Sequence, residues 1–308
     1  MSFAKTFGHA PLVGVVLAGF CAAFPAAGQD SKSFPSYQAA STALYEAARD
    51  KNQTELHAIF GSRADGILSS GDATSDENAR ALFVKQYKLK HSFMNQSDST
   101  VILSVGETAW PFPIPIVLSN GGWRFNSAEG SQELIYRRIG RNELSTLKAL
   151  NLVYLSEVNY AAKPHDGVPA GTYADKLVSS PGKHDGLYWV DENGQAAGPA
   201  GGLVALASDE GYSIQPQKEP FHGYFFKLLK EQGSHASGGA KSYYKNSHMS
   251  GGFAVMAYPA EYGASGIMTF LMGPHGTIHQ KDLGEKSTQA ARDITSYDPD
   301  SSWKPARP

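Results

Sequence analysis

Apolar residues first recur at helical spacing. Ala40, Leu44, Ala47 and Ala48 mark one face of a helix, and Leu56, Ile59 and Phe60 mark a second that Gly61 stops. "SDENARALFVKQYKLKHSF" repeats the pattern, with Ser75 or Asp76 as the N-cap and acidic residues in the first turn. The period then falls to two. "STVILSVG", "WPFPIPIVLS" and "GWRFNSA" predict three strands, with a hairpin turn at Asn120-Gly121-Gly122 between the last two. Pro111, Pro113 and Pro115 confine the middle segment to an edge strand or an extended ribbon, because proline offers no N–H to a ladder. The longest helical pattern follows, "SQELIYRRIGRNELSTLKALNLVYLSEVNYAA", carried by Leu134, Ile135, Ile139, Leu144, Leu147, Leu150 and Val153. Gly140 interrupts it and predicts a kink or a break into two helices.

From about Ala161 to Pro220 the chain turns to glycine, proline and turn residues, which predict a linker in part, with Gly167 to Val178 folding onto a neighbour and one short helix in "GLVALASDEGY". "PFHGYFFKLL", "FAVMAYP", "IMTFLM" and "TIHQKDL" then predict four consecutive strands, an antiparallel meander. Phe253, Val255 and Ala257 face one side of the second strand while Ala254, Met256 and Tyr258 face the other, so this sheet needs a cover on each face: one from a helix of its own half, the other from the first domain. The expected class is α+β: a helix-rich N-terminal domain with a small curved antiparallel sheet, then a C-terminal β-meander domain. The divisions are a signal peptide over residues 1–28, a first domain over 31–163, an irregular linker over 164–220, a meander domain over 221–297 and a peripheral polar tail over 298–308.

With 308 residues, 41% of them hydrophobic, the chain can bury two cores. Charged residues make up only 18% and the formal net charge is -2, too weak a field to gather nucleic acid. The N-terminus changes the picture most. Lys5, the apolar run "PLVGVVLAGFCAAF" and the small residues of "PAAGQD" read as a Sec-type signal peptide cleaved near Gly28, which places the protein in the periplasm or outside the cell. Cys21, the sole cysteine, falls inside that segment, so no disulfide partner and no cysteine chemistry are expected after export. No later apolar run is long enough to leave a stable membrane anchor.

Candidate chemistry is sparse. Arg137 and Arg141 lie one helical turn apart, beside Arg138, and can reach one carboxylate, phosphate or glycan acid; Glu133, one turn before Arg137, offers instead an ion-pair ladder or a clamp between domains. Trp189, Tyr224 and Tyr262 belong to a set of aromatics near loops, suited either to sugar or peptide recognition or to closing a core. Glu261 and Tyr262 share a turn that would present them together. His222, His248, His275 and His279 lack ligand spacing, so no metal and no cofactor is expected; His222 is expected to bond a nearby backbone group. No G-x-S-x-G elbow and no P-loop occurs.

"RRIGRNEL", "GLYW", "FHGYFFKLL", "GGFAVMAYPAEYGASGIMTF" and "HQKDLG" together resemble an exported bacterial family, domain-of-unknown-function family 2950, across nearly the whole mature chain. The resemblance implies export from a Gram-negative bacterium and no known activity. The first half is similar in pattern to cone-shaped domains like nuclear transport factor 2, and the meander to the sheets of some type IV pilin-like proteins. A pilin's glutamate after its processing site is missing here, so a filament subunit is not expected. The functional expectation is a non-enzymatic binding or assembly factor of the cell envelope with a protein or glycan partner. The alternative is a periplasmic hydrolase with a carboxylate and histidine site in the cleft between domains; Arg137, Arg138, Arg141, Trp189, His222, Tyr224, Glu261 and Tyr262 are the candidate binding residues, and no catalytic residue is assigned.

Overall fold

Ser36 opens the first helix by accepting a hydrogen bond from the Ala39 N–H, and Asn52 opens the second by accepting from Glu55 N–H, each satisfying an amide that has no partner within its helix. The computed structural model describes residues 31–213 and 218–306; the proposed signal peptide, with Cys21 and the cleavage position, lies outside them. Four helices precede the first sheet: α1 (Tyr37–Arg49), α2 (Gln53–Phe60), α3 (Ala64–Leu68) and α4 (Ala73–Leu89). The N-cap of α4 is Asp72, which accepts from Ser75 N–H at 2.9 Å, so the helix starts a turn earlier than Ser75 or Asp76 would place it.

The first sheet is antiparallel and has β1 (His91–Ser97), β2 (Thr100–Val105), β3 (Trp110–Pro111), β4 (Ile116–Ser119) and β5 (Gly122–Phe125), ordered β1-β2-β4-β5 with β3 paired to β2. Strand β1 takes up the end of the segment expected to be helical. Its mostly exposed residues suit an edge whose single neighbour is β2. The prolines split the middle segment into β3 and β4 on either side of buried Phe112 and Ile114. At the β4–β5 turn Asn120 and Gly121 both take positive φ, 51° and 76°, which matches strand twist in a two-residue hairpin. Leu44, Leu56, Ile59, Leu103, Ile116 and Phe125 form the core between helices and sheet.

α5 (Ser127–Ala161) is one uninterrupted helix of 35 residues, about 50 Å long. Gly140 does not break it. That glycine is exposed, a Cβ there would touch nothing, and the apolar period continues past it. Gly130, by contrast, seats the start of α5 against the sheet: a Cβ there would come within 2.4 Å of Ile114 Cα and 2.6 Å of the Pro113 carbonyl oxygen. Further along, Leu147, Leu150 and Val153 enter a second core.

That second core rests on an antiparallel sheet of consecutive strands, Tyr224–Leu229, Ala254–Pro259, Met268–Met272 and Ile278–Asp282, extended by Lys304–Pro305. The Tyr224 face meets α5, where Glu143 accepts from the Ile267 and Met268 N–H groups, and the Lys227 face is covered by the helix Ser287–Asp293, whose last carbonyls accept from Lys227 Nζ. Two expectations change. The irregular segment is structural beyond Gly167–Val178, the part expected to fold onto a neighbour: with Ala174 from that part, Leu187, Tyr188 and Ala200 are also buried in this core. The presumed peripheral tail is too, since Trp303 is buried and Lys304 and Pro305 pair with Gln280 and His279. The protein is α+β, and no helix among the described residues is long and apolar enough to cross a membrane.

Glu157, on the buried face of α5, accepts from Ala174 N–H at 3.0 Å through one oxygen, while the other has no partner. Burial is the main cause that raises its pKa well above the carboxylate range, with the charge of Asp175 adding to it.

Two predictions follow from α5. Gly130→Ala should lower unfolding stability by about 1–3 kcal/mol through overpacking, whereas Gly140→Ala on the same helix should raise it by about 0.5–1 kcal/mol; denaturant unfolding measures both, and equal effects would contradict the packing described. Because Glu157 binds its proton more tightly folded than unfolded, its contribution is complete below the ordinary carboxylate range and is lost as pH rises through the folded-state value. The melting temperature of Glu157→Gln should therefore gain on that of wild type as pH increases from 4 to 8; a constant difference would show that Glu157 is ionised in the folded protein.

Candidate functional site

α4 is held mainly by its ends. Near its C-terminus Tyr87, its one buried residue, accepts a hydrogen bond from Ser41 and stacks on Tyr45 and His91 at 4.6 and 4.0 Å. Midway, Arg80 donates to the Ala48 carbonyl at 2.7 Å and pairs with Glu77. At its N-terminus the second carboxylate oxygen of buried Asp72 accepts from Tyr212 OH and Gly223 N–H, at 3.1 and 2.7 Å, which fixes the helix to the C-terminal half. Ala79, Leu82, Phe83, Gln86 and Leu89 recur at i, i+3, i+4, i+7 and i+10 along the face between these anchors. Leu82 and Leu89 are 56% and 57% exposed.

That face forms one wall of a cleft of about 1310 Å³. The other walls are Phe60 and Ile67 from α2 and α3, Trp110 and Phe112 from the β3 region, and Leu134 with Arg137, Arg138 and Arg141 from α5. The helical turn that aligns residues 134, 137, 138 and 141 thus brings three cations to the same apolar cavity.

The three arginines have different partners. Arg137 is braced: its Nε donates to Glu133 at 2.7 Å, another nitrogen donates to the Pro111 carbonyl at 3.2 Å, and its guanidinium lies 5.3 Å from the Trp110 ring centre. Arg138 is buried and structural. It donates to the carbonyls of Gly66, Ile67 and Ser69, closing the C-terminus of α3, which leaves carbonyls without helical partners. Arg141 is exposed to the cleft and makes no hydrogen bond or ion pair among the described residues. Partial desolvation, and then the like charge of Arg137, lower its proton affinity, yet a guanidinium remains charged at any physiological pH. Asp76 lies near this end of the cleft, accepting from Ser70 N–H and interacting electrostatically with Arg138.

Of the remaining residues singled out from sequence, Trp189, His222, Tyr224 and Tyr262 do not line the cleft, whereas Glu261 stands at its edge, beside Gly71 and within electrostatic reach of Arg138. Trp189 packs at the edge of the second core, its ring beside those of His165 and His184 at 5.9 and 4.6 Å. His222 does not bond a backbone group through its ring; its Nε2 lies 3.0 Å from a Glu210 carboxylate oxygen. Tyr224 is fully buried in the second core, where its hydroxyl donates to the Met268 carbonyl at 3.0 Å, and desolvation raises its pKa far out of the titratable range. Glu261 and Tyr262 diverge: the Glu261 side chain packs beside Gly71 at the junction between halves, while the Tyr262 hydroxyl donates to Asp282 at 3.2 Å. Arg137 and Arg141 converge on the cleft as their spacing allows, with Glu261 at its edge beside Gly71; Trp189, His222, Tyr224 and Tyr262 do not line it.

Sequence reasoning missed the cleft face of α4, although its helical spacing was readable. It also missed histidine–carboxylate pairs formed across long loops, His184 with Asp166 at 2.8 Å and His235 with Asp298 at 2.9 Å. These pairs are exposed, and neither ring hydrogen-bonds a hydroxyl that it could activate. Among the described residues no group of three or more histidine, cysteine, aspartate or glutamate side chains is placed to hold a metal ion.

No curated protein and no solved structure matches the chain significantly, so the likenesses to nuclear transport factor 2 and to pilin sheets rest on pattern alone. The family model described as protein of unknown function, DUF2950, matches residues 31–306, and the chain belongs to that family.

Proposed function

We propose that the chain is a non-enzymatic binding protein of the cell envelope that holds an apolar or amphipathic molecule in the cleft beneath α4. One observation carries this reading: a cleft of about 1310 Å³ is walled by a helix that leaves Leu82 and Leu89 exposed among the described residues, on the side where Phe83 packs against Phe112. Exposed apolar side chains grouped in a concave site are costly in water and gain free energy when a ligand covers them. The anchors at Asp72, Arg80 and Tyr87, with Phe83 packed on Phe112, hold α4 in place while Leu82 and Leu89 stay exposed, so the cleft is formed before a ligand arrives and little ordering cost is left for binding. The signal peptide read at the N-terminus supports placing this activity in the periplasm or outside the cell, where a protein or glycan carrying the bound group would be the partner.

The uncharged fluorophore N-phenyl-1-naphthylamine tests this reading, because its emission rises in apolar surroundings. Wild type should enhance the fluorescence saturably, and Leu82→Asp should weaken that binding at least ~10-fold without changing unfolding stability, since Leu82 packs into no core. Failure of wild type to bind the probe, or an unchanged affinity in Leu82→Asp, would overturn the assignment.

A further inference from the structure

Resting on the cleft proposed above, we infer that its ligand carries one anionic head, a carboxylate or phosphate on an apolar chain, and that Arg141 receives that head. The apolar wall from Ala79 to Leu89 extends about 15 Å along α4, while Arg141 stands on α5 next to Arg138, whose electrostatic partner Asp76 lies in the first turn of α4. The cation therefore lies toward one end of the apolar stripe, as a head-and-tail ligand requires.

Most other charges at the cavity face a partner, Asp76 and the neighbouring Glu261 facing Arg138. Arg80 is paired with Glu77, Asp65 with His57, Arg137 with Glu133, and Arg138 with the three carbonyls that end α3. Glu107 is exposed on the turn between β2 and β3. Arg141 keeps all its donors free of protein partners among the described residues, and Arg137, one turn away, is held against Trp110 where it adds positive potential. A guanidinium meets a carboxylate or phosphate with two parallel hydrogen bonds, and the partly desolvated setting strengthens them relative to water. A neutral ligand of the same shape would leave this cation beside the bound molecule without compensation, so charge decides between amphiphiles that fit equally well.

Displacement of N-phenyl-1-naphthylamine from the full-length mature protein by dodecanoate, dodecyl phosphate and dodecan-1-ol tests the inference. Wild type should bind at least one of the two anions about tenfold or more tighter than the alcohol, and the order of the two anions identifies the head. Arg141→Ala should bring that preference, read as the ratio of anion to alcohol competition within the variant, down to about onefold, and Arg141→Lys should retain part of it. Because Arg141 holds no other residue in place, the variant should fold as wild type does. Equal competition by anions and alcohol in wild type, or an undiminished preference in Arg141→Ala, would overturn the anionic assignment while the apolar site stands. Absence of probe binding to wild type would overturn both readings.

Discussion

The helix α5 belongs to two hydrophobic cores at once, and the rest of the architecture follows from that sharing. Its first turns approach Ile114 and Pro113 so closely that only glycine fits at position 130, while Leu147, Leu150 and Val153 are buried more than four turns later under the second sheet. A continuous helix is stiff over this length, so the separation of the two sheets is set by the rise per residue and not by a flexible linker. Rotation about the rod is limited separately by polar contacts. Asn142 donates to the Ser265 carbonyl, Glu143 receives two amides of the next strand, and Asp72 ties the start of α4 to Tyr212 and Gly223. Apolar burial fixes the spacing of the halves, and directional hydrogen bonds fix their orientation.

The same division of labour explains how an open cleft persists. A helix normally buries its apolar stripe, yet α4 is secured by a cap, an arginine and one buried tyrosine. Leu82 and Leu89 are free to face solvent because these contacts, with Phe83 packed on Phe112, hold the helix without them. Leaving apolar groups exposed in this way is a cost to the folded protein, and such costs concentrate where surfaces serve recognition.

Much of the fold was legible in the sequence because period and turn chemistry are local signals. The helices before the first sheet, the Asn120-Gly121 turn and the consecutive strands of the meander all follow from them. The misreadings share one physical cause, the dominance of long-range contacts over local composition. Glycine at 140 suggests a break, but its surroundings are open and the helix is held on both sides of it. β1 is polar and looks unlike a strand, yet pairing with β2 suffices for an edge. The stretch around Leu187 and Ala200 looks like a linker because its buried residues are few and widely spaced, and they are buried by partners far away in sequence. At the site, the spacing of Arg137 and Arg141 was readable. That Arg138 closes α3 while Arg141 stays unpaired depends on carbonyls about seventy positions earlier, and no local pattern encodes it.

The short strand Lys304–Pro305 has a consequence for the protein's behaviour in a crowded compartment. The strand Ile278–Asp282 would otherwise border the second sheet with a row of unsatisfied amides and carbonyls open to any extended chain. Its neighbour pairs Pro305 with His279 and Lys304 with Gln280, putting a ring without an N–H and a solvated ammonium on that border. Buried Trp303 holds the cap in place. Two backbone positions of this edge are thereby paired within the chain, and the pairing depends on three residues whose composition reads as a polar tail.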